Sequence, residues 1–321
     1  MKTAPPTNEV QTPPTVIITG PTATGKTDLS LSLARHFHAP VISADARQCY
    51  RYMDIGTGKA PKKIRDKIPH YHIDSLYPDE TFTAAEFADR CREWSRSIHD
   101  QGKPVIIAGG STLYIESLIR PLDPLPPRNE ANIRELEQIA EHQGLHTIRK
   151  KLEDVDPDYL KRIDGPNPHR MYRALDVWMQ TGKPFSSFHR NRPLRPPDNT
   201  LLICLNRDRQ ELHDRISNRV DGMLAEGLVD EVRNILDMGY QPELQSLRTV
   251  GYREVITHLH SGLSENEMIA HIKTNTRRYA RRQLTWFRRW EGVNWIDQSG
   301  KSEKKLASIL CNMAEQLAAK T

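Results

Sequence analysis

The sequence predicts an α/β protein: a P-loop NTPase-like parallel sheet with flanking helices and an all-helical insertion domain. Three observations carry this. Thr15 to Ser30 (TVIITGPTATGKTDLS) reads as a strand, a glycine-rich loop and a helix. Short apolar runs alternate with helical patterns, as buried parallel strands do. From Asn129 to about Gly182 the chain carries helical patterns and no good strand candidate.

The elements follow in order. Residues 1–14 are polar and Pro-rich with no apolar h-region, which predicts a disordered tail and not a signal peptide. Val16-Ile17-Ile18 leads into the glycine loop, Pro40-Val41-Ile42-Ser43 ends at Asp45, and Val105-Ile106-Ile107-Ala108 ends at Gly109-Gly110. Leu201-Leu202-Ile203-Cys204-Leu205 follows much later. In parallel sheets the working residues lie just past the carboxyl ends of the strands. Here those positions are the glycine loop, Asp45, Gly109 to Thr112 and Asn206 to Arg209, which places one site at one edge. Pro121 to Pro127 (PLDPLPP) is a boundary. Beyond it, Asp156-Pro157 and Asn167-Pro168 are helix starts, a polar cap followed by proline in the first turn, and Gly182-Lys183-Pro184 is a stop. The Pro/Arg-rich Arg190 to Asp198 returns the chain to the sheet. Residues 15–120 and 199–321 are therefore expected to form the α/β domain, with 121–198 as the helical insertion. After Arg209 the pattern is mostly helical, with a late strand candidate at Val293 to Asp297.

Composition narrows the class. A hydrophobic content of 37% with 27% charged residues suits a globular protein, and mean hydropathy of −0.65 excludes a membrane-embedded one. No apolar run approaches the roughly 20 residues that cross a bilayer. Cys49, Cys91, Cys204 and Cys311 are scattered without a C-x-x-C pair, so reduced thiols in a cytoplasmic protein are expected in place of a zinc module or disulfide scaffold. The net charge of +5 carries little alone; its distribution matters more.

Gly20-Pro21-Thr22-Ala23-Thr24-Gly25-Lys26-Thr27 fits G-x-x-x-x-G-K-[ST] in its proper strand and helix context. Its glycines let backbone N–H groups converge on phosphate oxygens at a helix N-terminus. Lys26 adds a positive charge and the Thr27 hydroxyl can hold Mg²⁺. Asp45, at the end of a strand expected beside the first, has two readings: a helix N-cap, or a group that takes a proton or positions Mg²⁺. Gly56-Thr57-Gly58-Lys59 follows in a polar segment suited to a substrate-facing loop.

Seven motifs then stand in register: GPTATGKT, SADARQCY, DIGTGKAP, AGGSTLY at 108–114, NPHRMYRALDV at 167–177, LRTVGYRE at 247–254 and RRYARRQLTWFRR at 277–289. Together they closely resemble the bacterial tRNA dimethylallyltransferases, which prenylate the adenosine just 3′ of the anticodon. The resemblance covers nearly the whole chain except the tail and last helix. It implies that the phosphate loop holds the diphosphate of dimethylallyl diphosphate with Lys26, Thr27 and Mg²⁺, that the adenine N6 amine attacks the allylic carbon, and that Asp45 accepts its proton. It also implies that Arg219, which spacing alone would leave as a surface helix arginine, acts on the diphosphate. Asp45, Ala46, Arg47 and Gln48 would lie beside the target base. Two positions depart from the family pattern: Ala46 stands where a serine is usual, and Ser111 replaces the threonine of a Gly-Gly-Thr turn while keeping its hydroxyl.

Thr276 to Trp290 (TRRYARRQLTWFRRW) holds six arginines and no acid. On a helix, Ala280, Leu284 and Phe287 share a core face. Arg277, Arg281 and Arg288 form one flanking stripe, and Arg278, Arg282 and Arg289 form another. A solvated basic helix is the plain reading; contact with closely spaced RNA phosphates is the stronger one. Arg277, Arg281 and Arg282 are taken as tRNA contacts. The resemblance adds His169, Arg170, Met171, Tyr172 and Arg173 in the insertion, and Arg248, Thr249, Val250, Gly251, Tyr252 and Arg253. Ser111 and Asn132 follow by aligned position. The insertion would grip the anticodon stem-loop, and a monomer is the default. A small-molecule phosphotransferase, a non-catalytic RNA-binding protein and an enzyme that prenylates free adenine nucleotides are the competing readings. The downstream arginine-rich segments disfavour the first and last, and retention of Lys26, Thr27 and Asp45 disfavours the second.

Overall fold

The computed structural model describes residues 13–120, 122–163, 165, 167–189 and 194–319. Most of the expected tail, Pro121 and positions 190–193 of the Pro/Arg-rich return lie outside them. The chain divides into two compact units, 1–120 with 193–321, and 121–192. Residues 194–198 thus fall with the sheet, where Leu194 packs into its core and its carbonyl accepts from the Glu291 N–H.

The first unit is built on strands β1 (Thr15–Thr19), β2 (Val41–Ser43), β3 (His70–Tyr71), β4 (Val105–Ala108), β5 (Thr200–Asn206) and β6 (Asn294–Asp297). They form one six-stranded sheet in the order β3-β2-β4-β1-β5-β6, parallel throughout. Four of these strands are legible as apolar runs, and β6 matches the late strand candidate at Val293 to Asp297. β3 is not legible, because two residues are too few to show a period. Around the sheet run α1 (Lys26–His36), α2 (Lys62–Arg65), α3 (Ala84–His99) and α4 (Thr112–Ile119). The second unit holds α5 (Glu130–Gln143), α6 (Leu145–Val155), α7 (Pro157–Arg162) and α8 (Pro168–Thr181). The first unit resumes with α9 (Arg209–Ala225), α10 (Leu228–Asp237), α11 (Tyr252–Ser261), α12 (Glu265–Phe287) and α13 (Glu303–Ala318).

Alternation along the strands makes two cores. Val16, Ile18, Ile203 and Leu205 face α1 and α13, packing on Leu29, Leu33, Leu306 and Leu310. Ile17, Ile107, Leu202 and Cys204 face the other way, against Phe87, Tyr114, Ile115 and Phe287. A third cluster joins Cys49, Tyr50 and Met53 to α9–α12 through Val220, Leu228, Val232, Tyr252 and Ile272. The four cysteines are free and buried. Among the described residues no helix is long and apolar enough to cross a membrane.

The helical unit has its own core of Ile133, Leu136, Ile148, Leu152, Met171 and Leu175. Its helix starts are those the Asp-Pro and Asn-Pro pairs predict: Asp156 caps α7 and Asn167 caps α8, each with proline in the first turn. Gly182 ends α8 in the left-handed conformation.

Two glycines give opposite stability predictions. A Cβ on Gly109 would lie 2.0 Å from the Ala44 carbonyl oxygen, and backbone cannot yield as a side chain can. Gly109→Ala is expected to lower unfolding free energy by about 1–3 kcal/mol or more in urea denaturation. Gly222, inside α9 with open space around it, should gain about 0.5–1 kcal/mol as alanine.

Candidate active site

The phosphate loop is fixed by close backbone approach. At Gly20 (φ 140°) a Cβ would sit 2.5 Å from the Leu205 carbonyl oxygen, so β5 leaves no room for a side chain. Gly25 (φ 90°) turns the chain into α1 in a left-handed conformation. Between them the Thr24 hydroxyl donates to the Pro21 carbonyl at 2.8 Å, and Arg215 Nε of α9 donates to the Ala23 carbonyl at 2.8 Å. Thr24 is fully buried, so it belongs to the loop's frame and presents no side chain to a ligand. Gly20 and Pro21 are buried as well, and Thr22, Ala23, Gly25, Lys26 and Thr27 are the loop residues that reach open space. The α1 N-terminus points there too.

That space is a cleft of about 1130 Å³ within the first unit. The loop forms one wall, Asp45 to Gln48 and Gly56 to Pro61 form another, and Gly110-Ser111, α9 and α12 close it. Lys26 Nζ donates to the carbonyls of Gly20 (3.0 Å) and Pro21 (2.7 Å). Burial and then the nearby Arg219 guanidinium pull the Lys26 ammonium down to about 8, with Asp45 acting in the opposite sense.

Asp45 is not a helix N-cap, since a turn and not a helix follows β2. One carboxylate oxygen accepts the Arg47 N–H at 2.9 Å. The adjoining Ala46 N–H donates to Ser111 Oγ at 2.8 Å, so the retained hydroxyl pins the loop that carries Asp45. Gln48 accepts from the Ser43 hydroxyl at 2.9 Å and donates to the Thr57 and Gly58 carbonyls, both at 3.3 Å. Arg219 is no surface arginine: it lines the cleft and donates to the Thr57 carbonyl at 3.5 Å. Burial lowers its pKa while Asp45 raises it. Gly58 makes room for it, because a Cβ there would lie 2.0 Å from Arg219 Nη2. Lys59 has a structural role despite its place in the motif. Its buried ammonium is satisfied by Asp74 (2.6 Å), Asp54 (3.0 Å) and the Tyr50 carbonyl (2.6 Å).

The basic segments sort by facing. Arg248, Thr249, Val250, Gly251 and Arg253 line the cleft. Tyr252, expected at the RNA, is fully buried and donates its hydroxyl to Glu231 at 2.5 Å. The reason is local: Gly251 (φ 97°) turns the chain into α11, so Tyr252 enters the helical core while its neighbours stay outside. On α12 the cleft is lined by Arg278, Tyr279 and Arg282, and not by Arg277 or Arg281. A helix turns about 100° per residue, and burial of Ala280, Gln283 and Phe287 sends positions 277 and 281 to the opposite flank. Arg277 there donates to the Thr274 hydroxyl.

Within the helical unit His169 and Arg170 are exposed at the start of α8. Met171 and Tyr172 are buried, 1% and 8% exposed, because the same helix face builds the core. Met171 has no surface for the contact expected of it, while Tyr172 borders an open groove with Pro168 and His169. Asn132 and Arg173 are both engaged by the fully buried Asp176, at 3.0 and 2.6 Å.

Gln283 was not among the expected site residues. Its carbonyl accepts the Thr22 N–H at 3.0 Å and its amide donates to the Gly110 carbonyl at 2.7 Å, tying α12 to the phosphate loop. Its signal was a polar residue three after Ala280 and four before Phe287, on the face that reads as core.

The chain is similar to known proteins over most of its length. The family model for IPP transferase matches residues 48–290. The tRNA dimethylallyltransferase of Alkaliphilus oremlandii is 40% identical over 285 residues, covering 88% of this chain and 91% of its own. That of Bacillus cereus (strain AH187) is 41% identical, covering 90% and 91%. The crystal structure of a tRNA isopentenylpyrophosphate transferase from Bacillus halodurans superposes with a TM-score of 0.70 at 35% identity, covering 96% of this chain and 97% of that one. A eukaryotic dimethylallyltransferase described as acting on tRNA gives 0.78 at 25% identity, covering 94% and 79%. The chain belongs to the IPP transferase family.

Proposed function

We propose that this protein is a tRNA dimethylallyltransferase, transferring the dimethylallyl group of dimethylallyl diphosphate to N6 of the adenosine just 3′ of the anticodon. The observation that carries the reading is one cleft in which a phosphate loop, a carboxylate and an arginine-bearing rim meet. A kinase has no use for the rim, and an RNA-binding module has none for the loop. The names of the relatives support the same reaction.

The diphosphate binds the loop amides and the ammonium of Lys26, with Arg219 on its other side. The adenine N6 forms a bond to the allylic carbon as that carbon's bond to the diphosphate oxygen breaks, and the electron pair leaves with pyrophosphate. N6 becomes acidic as its new bond forms, and Asp45 takes the proton. Lys26 and Arg219 stabilise the charge that develops on the departing oxygen. The Thr27 hydroxyl, exposed in the first turn of α1, is a hard oxygen donor that fits Mg²⁺. Among the described residues no group of three His, Cys, Asp or Glu could hold a metal, so the diphosphate itself would supply most ligands. When bound, Mg²⁺ would supply charge neutralisation. Arg278, Arg282, Arg248 and Arg253 hold the RNA backbone, and Tyr279 offers a ring on which a base extruded from its stack can rest. The exposed His169 and Arg170 of the helical unit add further contact to the anticodon stem-loop. Four free, buried thiols suit work in the reducing cytoplasm.

The test is incubation with dimethylallyl diphosphate, Mg²⁺ and unmodified tRNA, with mass spectrometry of the digested RNA. N6-dimethylallyladenosine is expected from wild type. Asp45→Ala should lose at least about 100-fold in rate with tRNA affinity held within about threefold. Absence of product from wild type would sink the proposal.

Charge on Lys26 sets a pH dependence. Below about 8 the ammonium is already protonated; above it, anion binding must first take up a proton. Affinity for pyrophosphate should therefore fall by up to about tenfold per pH unit above 8. Lys26→Arg should flatten the profile, as titration calorimetry at pH 7 to 9.5 will show.

Arg278→Ala and Arg282→Ala should each weaken tRNA binding and reduce the slope of log affinity against log salt by about 0.7–0.9. Arg281→Ala should leave that slope nearly unchanged in filter-binding titrations.

A further inference from the structure

Glu231 sits in the first turn of α10, outside every motif used above, yet its carboxylate accepts four hydrogen bonds. One oxygen takes the N–H groups of Asp54 (2.8 Å) and Ile55 (2.7 Å). The other takes the N–H of Gly56 (3.0 Å) and the hydroxyl of the buried Tyr252 (2.5 Å). Three consecutive backbone amides aimed at one carboxylate fix a segment more tightly than side-chain contacts do, because the backbone itself is held. Packing reinforces this: a Cβ on Gly56 would lie 2.4 Å from the Tyr252 ring, so the loop lies flat against it.

The consequence appears two residues on. Thr57 offers its carbonyl to Arg219, and Gly58 presses its Cα face against the same guanidinium. We infer that Glu231 is a positioning residue for the diphosphate site: by clamping the amides of 54–56 it sets the wall that holds Arg219 in the cleft. Tyr252 serves as a second fastener for that wall and not as an RNA contact. The four partners are all donors, which is why a carboxylate is required. An amide at this position would turn its own N–H groups toward two of them. The inference rests on the proposed reading of Arg219 as a diphosphate ligand.

The test is a double-mutant cycle on affinity for inorganic pyrophosphate with Mg²⁺, measured by titration calorimetry on wild type, Glu231→Gln, Arg219→Ala and the double variant. Arg219→Ala should weaken binding at least about tenfold, and Glu231→Gln about fivefold to tenfold. A residue acting only through Arg219 has nothing left to position once Arg219 is gone, so the double variant should match Arg219→Ala within about twofold. A merely structural role would make the two losses multiply, and that result overturns the inference. So does a Glu231→Gln variant within twofold of wild type, or a wild type that binds no pyrophosphate. Should Glu231→Gln not fold, Tyr252→Phe removes one donor while keeping the ring. It should then cost about threefold in the wild-type background and nothing in the Arg219→Ala background; equal costs in both overturn the inference. Pyrophosphate binding is independent of prenyl transfer. A non-additive cycle in a protein that makes no prenylated tRNA would refute the proposed reaction and leave the role of Glu231 standing.

Discussion

Close approach of backbone at the carboxyl edge of the sheet is the constraint on which the site depends. Gly20 lies against the Leu205 carbonyl, Gly109 against the Ala44 carbonyl, and Gly110 against the Gln283 amide. These contacts draw the ends of β5, β1, β4 and β2 together more tightly than any side chain would permit. The phosphate loop and Asp45 issue from two strands that are not neighbours, with β4 between them. The Gly109-Gly110-Ser111 turn at the end of β4 therefore brokers their spacing, touching Ala44 and Ala46 on one side and Gln283 on the other.

Charge in this protein separates into two kinds. Lys59 is the more deeply enclosed of the two lysines flanking the cleft, yet Asp54 and Asp74 satisfy it, and its pairing fastens a loop. Lys26 and Arg219 are each destabilised by burial, and Lys26 is further destabilised by Arg219. In the proposed reaction a bound diphosphate would offset both costs at once. That diphosphate would gain negative charge as its bond to carbon breaks, so the offset would grow along the proposed reaction.

Much of this was legible in the sequence because it follows from short-range rules. The phosphate loop, five of six strands and the helix starts at Asp156-Pro157 and Asn167-Pro168 need only local pattern. The resemblance supplied Asp45 and Arg219, which spacing could not separate from a cap and a surface residue. What escaped lies in facing and in long-range contact. RTVGYR locates a segment, but a left-handed Gly251 decides that Tyr252 turns inward. The arginines of α12 carry no mark of which flank meets the cleft until the buried Gln283 fixes the rotation. Glu231 is one acid in an ordinary amphipathic helix, and its partners are amides some 175 positions away that no side-chain pattern records.

The bond from Gln283 to Thr22 also makes α12 a gauge of length. Its buried glutamine is anchored to the phosphate loop, and Arg278 and Arg282 stand one and a half turns and a quarter turn from that anchor. Substitution on the outer flank leaves this geometry intact. Loss or gain of a single residue between positions 278 and 283 would rotate Arg278 by about 100° while the glutamine stayed in place. Chain length in this short interval is thus under stricter control than side-chain identity, and lineages of this fold should vary here by replacement and not by insertion.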